Sequence, residues 1–317
     1  MKFISDYSKY VFDGTDAGFV RINKPNEDSN GWRQDTPNGD VFVVCDGMGG
    51  HAGGKKASEI AVNAIIEQFT GAQYDDSVQA LKDALHRANA QILGFASENP
   101  TFKGMGTTAC ILLLRDAAAW IAHIGDSRIY IFKTNEKELH RITKDHSLVQ
   151  ALADKGEISE EEAETDSRKN IILQALGIKD ELNPSIAQIL PKTDDIFMLC
   201  SDGLTDMVDD EKIENLLADE NLSLYQKGEE LIEMANRAGG KDNITLQLIQ
   251  IENSQHQKSE FTSYNPKSRQ YDDQSDTEIT SQNDAGKKPK KRMFIIAIII
   301  VLLLSGLTLL LINLISK

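Results

Sequence analysis

The chain has 317 residues, with 34 Lys and Arg against 49 Asp and Glu, a formal net charge of −15. That balance argues against a nucleic-acid binder, whose affinity comes from basic patches and the counterions they release. Long Val/Ile/Leu runs exclude a disordered chain, and the roughly 250 residues before the composition changes near Asn253 suffice for one domain with a sizeable core.

The opening MKFISDYSKYVFDG has no apolar stretch of h-region length, so no secretory leader is expected. Short β-branched runs predict strands over 18–22, 41–45, 109–114, 120–124, 128–133, 195–200 and 244–251. Between the second and third of these lie two helical faces. Ala57, Ile60, Ala61, Ala64 and Ile65 form one, and Leu81, Ala84, Leu85, Ala88 and Ile92 the other. Further helices are predicted near 147–155 and 223–237. Grouped strands and grouped helices indicate an α+β layered domain over 1–252.

Three cysteines, Cys45, Cys110 and Cys200, sit inside apolar runs and read as buried, reduced thiols of a cytosolic domain. A Cys-x5-Arg phosphatase loop is absent, because the sixth residue after each is His51, Asp116 or Asp206. From 253 to 292 the chain turns to Ser, Gln, Asn and Asp and ends in a basic run; it reads as a disordered tether with a reach on the order of 35 Å. Residues 293–315 then run without a charge, long enough to cross a hydrocarbon core of about 30 Å. Lys287, Lys288, Lys290, Lys291 and Arg292 precede that run and only Lys317 follows it. A single-pass tail anchor with the large domain on the cytoplasmic side is therefore expected. Without the 287–317 segment, 28 basic residues face 49 acidic ones, a charge of −21.

The chemistry is suggested by where aspartates fall. Asp46 and Asp202 directly follow apolar runs and Asp242 precedes one, so strand ends can bring their carboxylates to one edge. Asp28 in NEDS and Asp126 in HIGDSR have similar settings. Hard oxygen ligands gathered in this way suit Mg²⁺ or Mn²⁺, and no Cys/His cluster points to zinc. Gly47, Gly49, Gly50, Gly53 and Gly54 allow close backbone approach to a metal or phosphate. Gly49-x4-Gly54-Lys55 also approximates a phosphate-cradling Walker A loop, but Lys56 stands where that loop needs Ser or Thr.

Seven segments, in order, carry a resemblance: NEDS (26–29), VCDGMGGHAGGKKAS (44–58), GMGTT (104–108), HIGDSR (123–128), DHSLVQALADKGEISEEEA (145–163), LCSDGLTD (199–206) and GGKDNIT (239–245). Together they resemble the motifs of the metal-dependent type-2C Ser/Thr protein phosphatases, most closely the bacterial members. The resemblance implies a four-layer α-β-β-α sandwich around a binuclear Mn²⁺ or Mg²⁺ centre. By that resemblance Asp46 bridges the two ions, Asp202 and Asp242 hold the first, and Asp28 with the Gly47 carbonyl holds the second. Asp126 with Asp202 matches a third, weaker position. The implied reaction is in-line attack of metal-activated water on phosphoserine or phosphothreonine of proteins.

Three departures qualify the match. The family's phosphate-clamping Arg corresponds to Arg21, but RINKPNED is two residues longer than the usual spacing, which leaves Lys24 as a competitor. Met48 occupies a place that some members give to a His, and His51 reads equally well as a structural loop residue. In the flap, near 147–177, the usual His-Pro-x-Arg becomes TDSRKN, leaving Arg168 to face substrate. Expected partners are phosphorylated proteins, a membrane-associated Ser/Thr kinase and its targets. A membrane-tethered adaptor without activity and a P-loop-like nucleotide hydrolase remain the alternatives.

Overall fold

The computed structural model describes residues 10–49, 52–71 and 73–252, together with the backbone of 261–264. In chain order the strands are β1 Val11–Asp16, β2 Ser29–Thr36, β3 Gly39–Cys45, β4 Gly47–Met48, β5 Gly106–Thr107, β6 Ala109–Arg115, β7 Ala118–Ile124 and β8 Arg128–Lys133. They continue with β9 Glu138–Arg141, β10 Ser185–Ile189, β11 Ile196–Cys200, β12 Ile244–Gln250 and β13 Phe261–Tyr264. The helices are α1 Gly53–Gly71, α2 Ser77–Glu98, α3 Leu148–Asp154, α4 Glu160–Thr165, α5 Asp202–Thr205, α6 Asp210–Leu217 and α7 Leu224–Arg237.

Two large antiparallel sheets form, with orders β1-β12-β11-β8-β9 and β13-β10-β7-β6-β3-β2, and β4 pairs antiparallel with β5 in a two-stranded ribbon. The strand alternation divides the apolar side chains into three layers. Val41, Val43 and Cys45 of β3 pack with Ile111 and Leu113 of β6 beneath α1 and α2. Phe42, Val44, Cys110 and Leu112 point the other way, against Ile129, Ile131, Phe197 and Leu199 of the facing sheet. Tyr130, Phe132, Met198 and Leu246 line that sheet's outer face, under Ile213 of α6 and Leu231 of α7. Strands buried on both faces explain why VFVVC, ACILLL and FMLC read as unbroken apolar runs. Each buried Ile, Leu or Phe contributes roughly 1.5–3 kcal/mol.

Two expectations need correction. Residues 18–22 are not a strand: Gly18 turns at φ +77, its N–H donates to Asp16 Oδ1 at 2.9 Å, and Phe19–Arg21 form one 3₁₀ turn. Phe19, Val20 and Ile22 are 74 %, 66 % and 68 % exposed, so their apolar pattern marks no core. The 253–292 stretch, expected to be a featureless tether, contains β13, which pairs antiparallel with β10. The rest of that stretch and 293–315 lie outside the described residues. Among the described residues no helix is long and apolar enough to cross a membrane.

Candidate metal centre

The sandwich opens at one end where several strands stop or begin. β2 begins at Ser29, so Asp28 stands just before it; β3 ends at Cys45, so Asp46 stands just after it. Asp126 occupies the β7–β8 turn, Asp202 starts α5 after β11, and Asp242 precedes β12. Four of the five, Asp28, Asp46, Asp126 and Asp202, have their carboxyls raised by burial and by the charges of neighbouring carboxylates. Burial first, then the charges of Asp28, Asp202, Asp126 and Asp242, hold the Asp46 carboxyl far above the usual carboxylate range. Asp202 is raised by burial and by Asp126, Asp206, Asp242 and Asp28. Burial pushes Asp28 up to about 6 and Asp126 up to about 7. Mutual repulsion of this kind marks a place built for positive charge.

Backbone and side-chain hydrogen bonds fix the carboxylates. Thr108 Oγ1 accepts the Asp46 N–H at 2.9 Å, while Thr107 Oγ1 and the Thr108 N–H donate to the Asp46 carbonyl at 2.8 and 2.9 Å. Ser201 Oγ donates to Asp28 Oδ2 at 2.8 Å, and Lys55 Nζ donates to the Asp28 carbonyl at 2.8 Å. Lys55 is thus used to hold the Asp28 loop, which removes the phosphate-cradling role that a Walker A reading requires. Gly47 is buried so tightly that a Cβ there would lie 2.2 Å from the Gly54 carbonyl oxygen and 2.5 Å from that of Glu27. Only glycine lets this turn approach the centre.

The residues present fit divalent cations. Asp28 Oδ1 and Asp202 Oδ1 are buried without a hydrogen-bond partner, an arrangement that costs free energy unless something positive pairs them. Among the described residues, the three-ligand group drawn within 4.8 Å is a surface set elsewhere, Glu136, Glu138 and His140.

Arg21 reaches this edge from the 3₁₀ turn. One guanidinium nitrogen pairs with Asp242 and the other with Glu27 Oε2 at 2.5 Å. Lys24, the competitor, is exposed. Arg168 is not brought to the site: its guanidinium makes two hydrogen bonds to Asp166, at 3.0 and 2.7 Å, on the exposed flap. Its neighbour Lys169 faces the centre instead, 2.9 Å from Asp206, lining a cleft of about 310 Å³ with Asp126 and Asp202. Gly50 and His51 lie outside the described residues. Sequence reasoning also missed Glu27, Ser201, Asn243 and Asp206. All four belong to motifs already singled out, NEDS, LCSDGLTD and GGKDNIT, and each stands one to four residues from a selected aspartate.

Residues 18–248 match the family described as Protein phosphatase 2C. A serine/threonine phosphatase stp of Listeria welshimeri is 38 % identical over 240 residues, which is 74 % of this chain and 93 % of that protein. Serine/threonine phosphatase Stp1 from Staphylococcus aureus superposes with a TM-score of 0.71 at 34 % identity, over 77 % of this chain and 96 % of that one. A PstP catalytic domain solved in complex with two manganese ions superposes at 0.66 with 34 % identity, over 77 % and 98 %. The chain belongs to the protein phosphatase 2C family, in its bacterial serine/threonine branch.

Proposed function

We propose that this enzyme hydrolyses phosphoserine and phosphothreonine on proteins at a Mn²⁺ or Mg²⁺ centre held by Asp28, Asp46, Asp202, Asp242 and the Gly47 carbonyl, with Asp126 completing a third, weaker position. The observation that carries the reading is the convergence of these carboxylates, two with unpaired buried oxygens, beside one arginine. Bound cations supply a water of lowered pKa and positive charge against the phosphoryl oxygens. Arg21 orients the phosphate: Glu27 keeps one guanidinium nitrogen in place, and the nitrogen now on Asp242 is the one that turns to a phosphoryl oxygen. Thr107, Thr108 and Ser201 hold Asp46 and Asp28 in register, so little reorganisation accompanies the reaction.

An adaptor without activity finds no support in this site, because each of these five positions carries the expected aspartate. Release of phosphate from a phosphothreonine peptide should require Mn²⁺ or Mg²⁺, stop with EDTA, and fall by more than about 100-fold in Asp202→Asn. Equal rates in wild type and Asp202→Asn would sink the assignment.

The tether belongs to the same proposal. The uncharged 293–315 run and its basic flank support a membrane anchor with the domain on the cytoplasmic side, which raises the enzyme's concentration near a membrane-associated Ser/Thr kinase and its targets. Fractionation should place the full chain with membranes and a chain lacking 287–317 in the supernatant. Equal partitioning would remove the anchor from the account.

A further inference from the structure

The β7–β8 turn, Gly125-Asp126-Ser127, carries the aspartate of the third, weaker metal position, and it is gripped from two sides. On one side Ser127 Oγ shares a hydrogen bond with Thr108 Oγ1 at 2.7 Å, the same hydroxyl that accepts the Asp46 N–H. Gly125, at φ +107, comes so close that a Cβ would lie 2.6 Å from the Thr108 methyl carbon. On the other side stands His146, just before the Ser147 N-cap of α3. Its N–H donates to the Gly125 carbonyl at 2.8 Å, and its ring Nδ1 accepts the Gly125 N–H at 3.3 Å. Both backbone polar groups of the glycine are thus bonded to one residue.

The ring chemistry follows from those partners. A backbone N–H can only donate, so Nδ1 carries no proton; the ring proton sits on Nε2 and is donated to Ser185 Oγ at 3.0 Å. The ring lies against His123, with centroids 4.4 Å apart and planes at 31°. His123 is buried and bonds through Nε2 to the Lys144 carbonyl at 2.9 Å. Burial pushes His123 down to about 3 and also lowers His146, against the charge of Asp145, so two neutral rings meet. The His146 carbonyl accepts the Leu173 N–H at 2.7 Å, which fixes the residue through its own backbone. Rotating the imidazole would break the bonds of both nitrogens at once.

We propose that His146 is a positioning residue for Asp126: through Gly125, its Nδ1 holds the turn so that the Asp126 carboxylate stays at the cleft beside Asp202. The inference rests on the reading of Asp126 as a metal position. A ring that only filled space would gain nothing from an unprotonated nitrogen aimed at a backbone N–H. His146 is not itself a ligand, because both of its ring nitrogens are committed. Two groups therefore divide the task. Thr108 joins the turn to Asp46, and His146 holds it from outside the carboxylate set.

The test is a Mn²⁺ titration of the full-length protein, with free Mn²⁺ read by its electron paramagnetic resonance signal, in wild type, His146→Ala, His146→Gln and His146→Asn. The asparagine oxygen takes the place of Nδ1 as an acceptor; the glutamine amide takes that of Nε2 and leaves the Gly125 N–H without its partner. Wild type should bind two ions tightly and a third more weakly. In His146→Ala and His146→Gln the third dissociation constant should rise by about tenfold or more with the first two within about twofold, and His146→Asn should restore it to within about threefold of wild type. Hydrogen exchange over residues 124–127 of the metal-free protein should quicken in His146→Ala and His146→Gln and stay slow in His146→Asn. A third constant unchanged in the first two variants, equal weakening of all three ions, or His146→Asn behaving as His146→Ala overturns the proposal. Only two ions in wild type removes the Asp126 position and this role with it, while the two-ion centre stands. Should His146→Ala fail to fold, the contrast between His146→Gln and His146→Asn decides.

Discussion

Ser201 ties two distant parts of the chain together with one hydroxyl. It is fully buried, donates to Asp28 Oδ2 at 2.8 Å and accepts the Thr245 N–H at 3.0 Å. Ser201→Ala removes both partners at once and frees Asp28 to rotate. Groups that orient a metal ligand typically contribute 10–100-fold in metal affinity. Mn²⁺ affinity should therefore fall by about that factor, while turnover at saturating Mn²⁺ changes little. A metal titration giving the wild-type constant would show that Asp28 needs no such support, or holds no ion. At this scale the aspartates that converge were legible and the groups that hold them were not. Asp46 and Asp202 announce themselves by ending apolar runs. Ser201 and Asn243 gain meaning only from what folding brings to them across 173 and 216 residues, as in the Asn243 Oδ1 that accepts the Glu27 N–H at 2.8 Å. Arg168 and Lys169 are adjacent in sequence, and spacing alone could not say which one would turn toward the centre.

The elements that were read correctly are those with strong periodicity and burial on both faces. α1, α2 and α7 and the strands β3, β6, β8, β11 and β12 fall where their patterns predict, because each buries a continuous apolar stripe. Those missed are at edges or are too short to carry a period. β2 is SNGWRQDT, a polar edge strand bonded to β3 alone; its Gly31 leaves no room for a Cβ beside Val62. β9 is ELHR, equally an edge. The misread segment 18–22 shows the converse case, in which apolar residues serve a turn. That turn is fastened from the far end of α7: Asn236 Oδ1 accepts the Phe19 N–H at 3.0 Å, and the Gly240 carbonyl accepts the Val20 N–H at 2.9 Å. Gly18 cannot be replaced there, since a Cβ would lie 2.0 Å from the Asp242 carbonyl oxygen. The exit from a helix thus sets where Arg21 stands relative to Asp242. Such a dependence has no local signature in RINKPNED.

At the scale of the whole domain, the three cysteines report on the three layers. Cys45 packs under α1 and α2, Cys110 between the sheets, and Cys200 under α6 and α7, each fully buried. Burial pushes the Cys200 thiol up to about 12 and raises the other two as well, so the folded protein holds them as unreactive thiols. Alkylation then requires the surrounding layer to open. If the sandwich unfolds as one cooperative unit, iodoacetamide should modify none of the three in native buffer and all three at one shared rate as denaturant is added. That rate should follow the loss of the global fold. The inter-sheet layer is the structural argument for a shared rate, because Phe42, Leu112, Phe197 and Leu199 bind each sheet to the other and neither outer helix pair can leave without exposing its own sheet. Early labelling of Cys200 alone, with Cys45 still protected, would show instead that the α6–α7 layer opens independently. Since α7 also fastens the Arg21 turn, such an opening would release Arg21 from Asp242 before the domain unfolds.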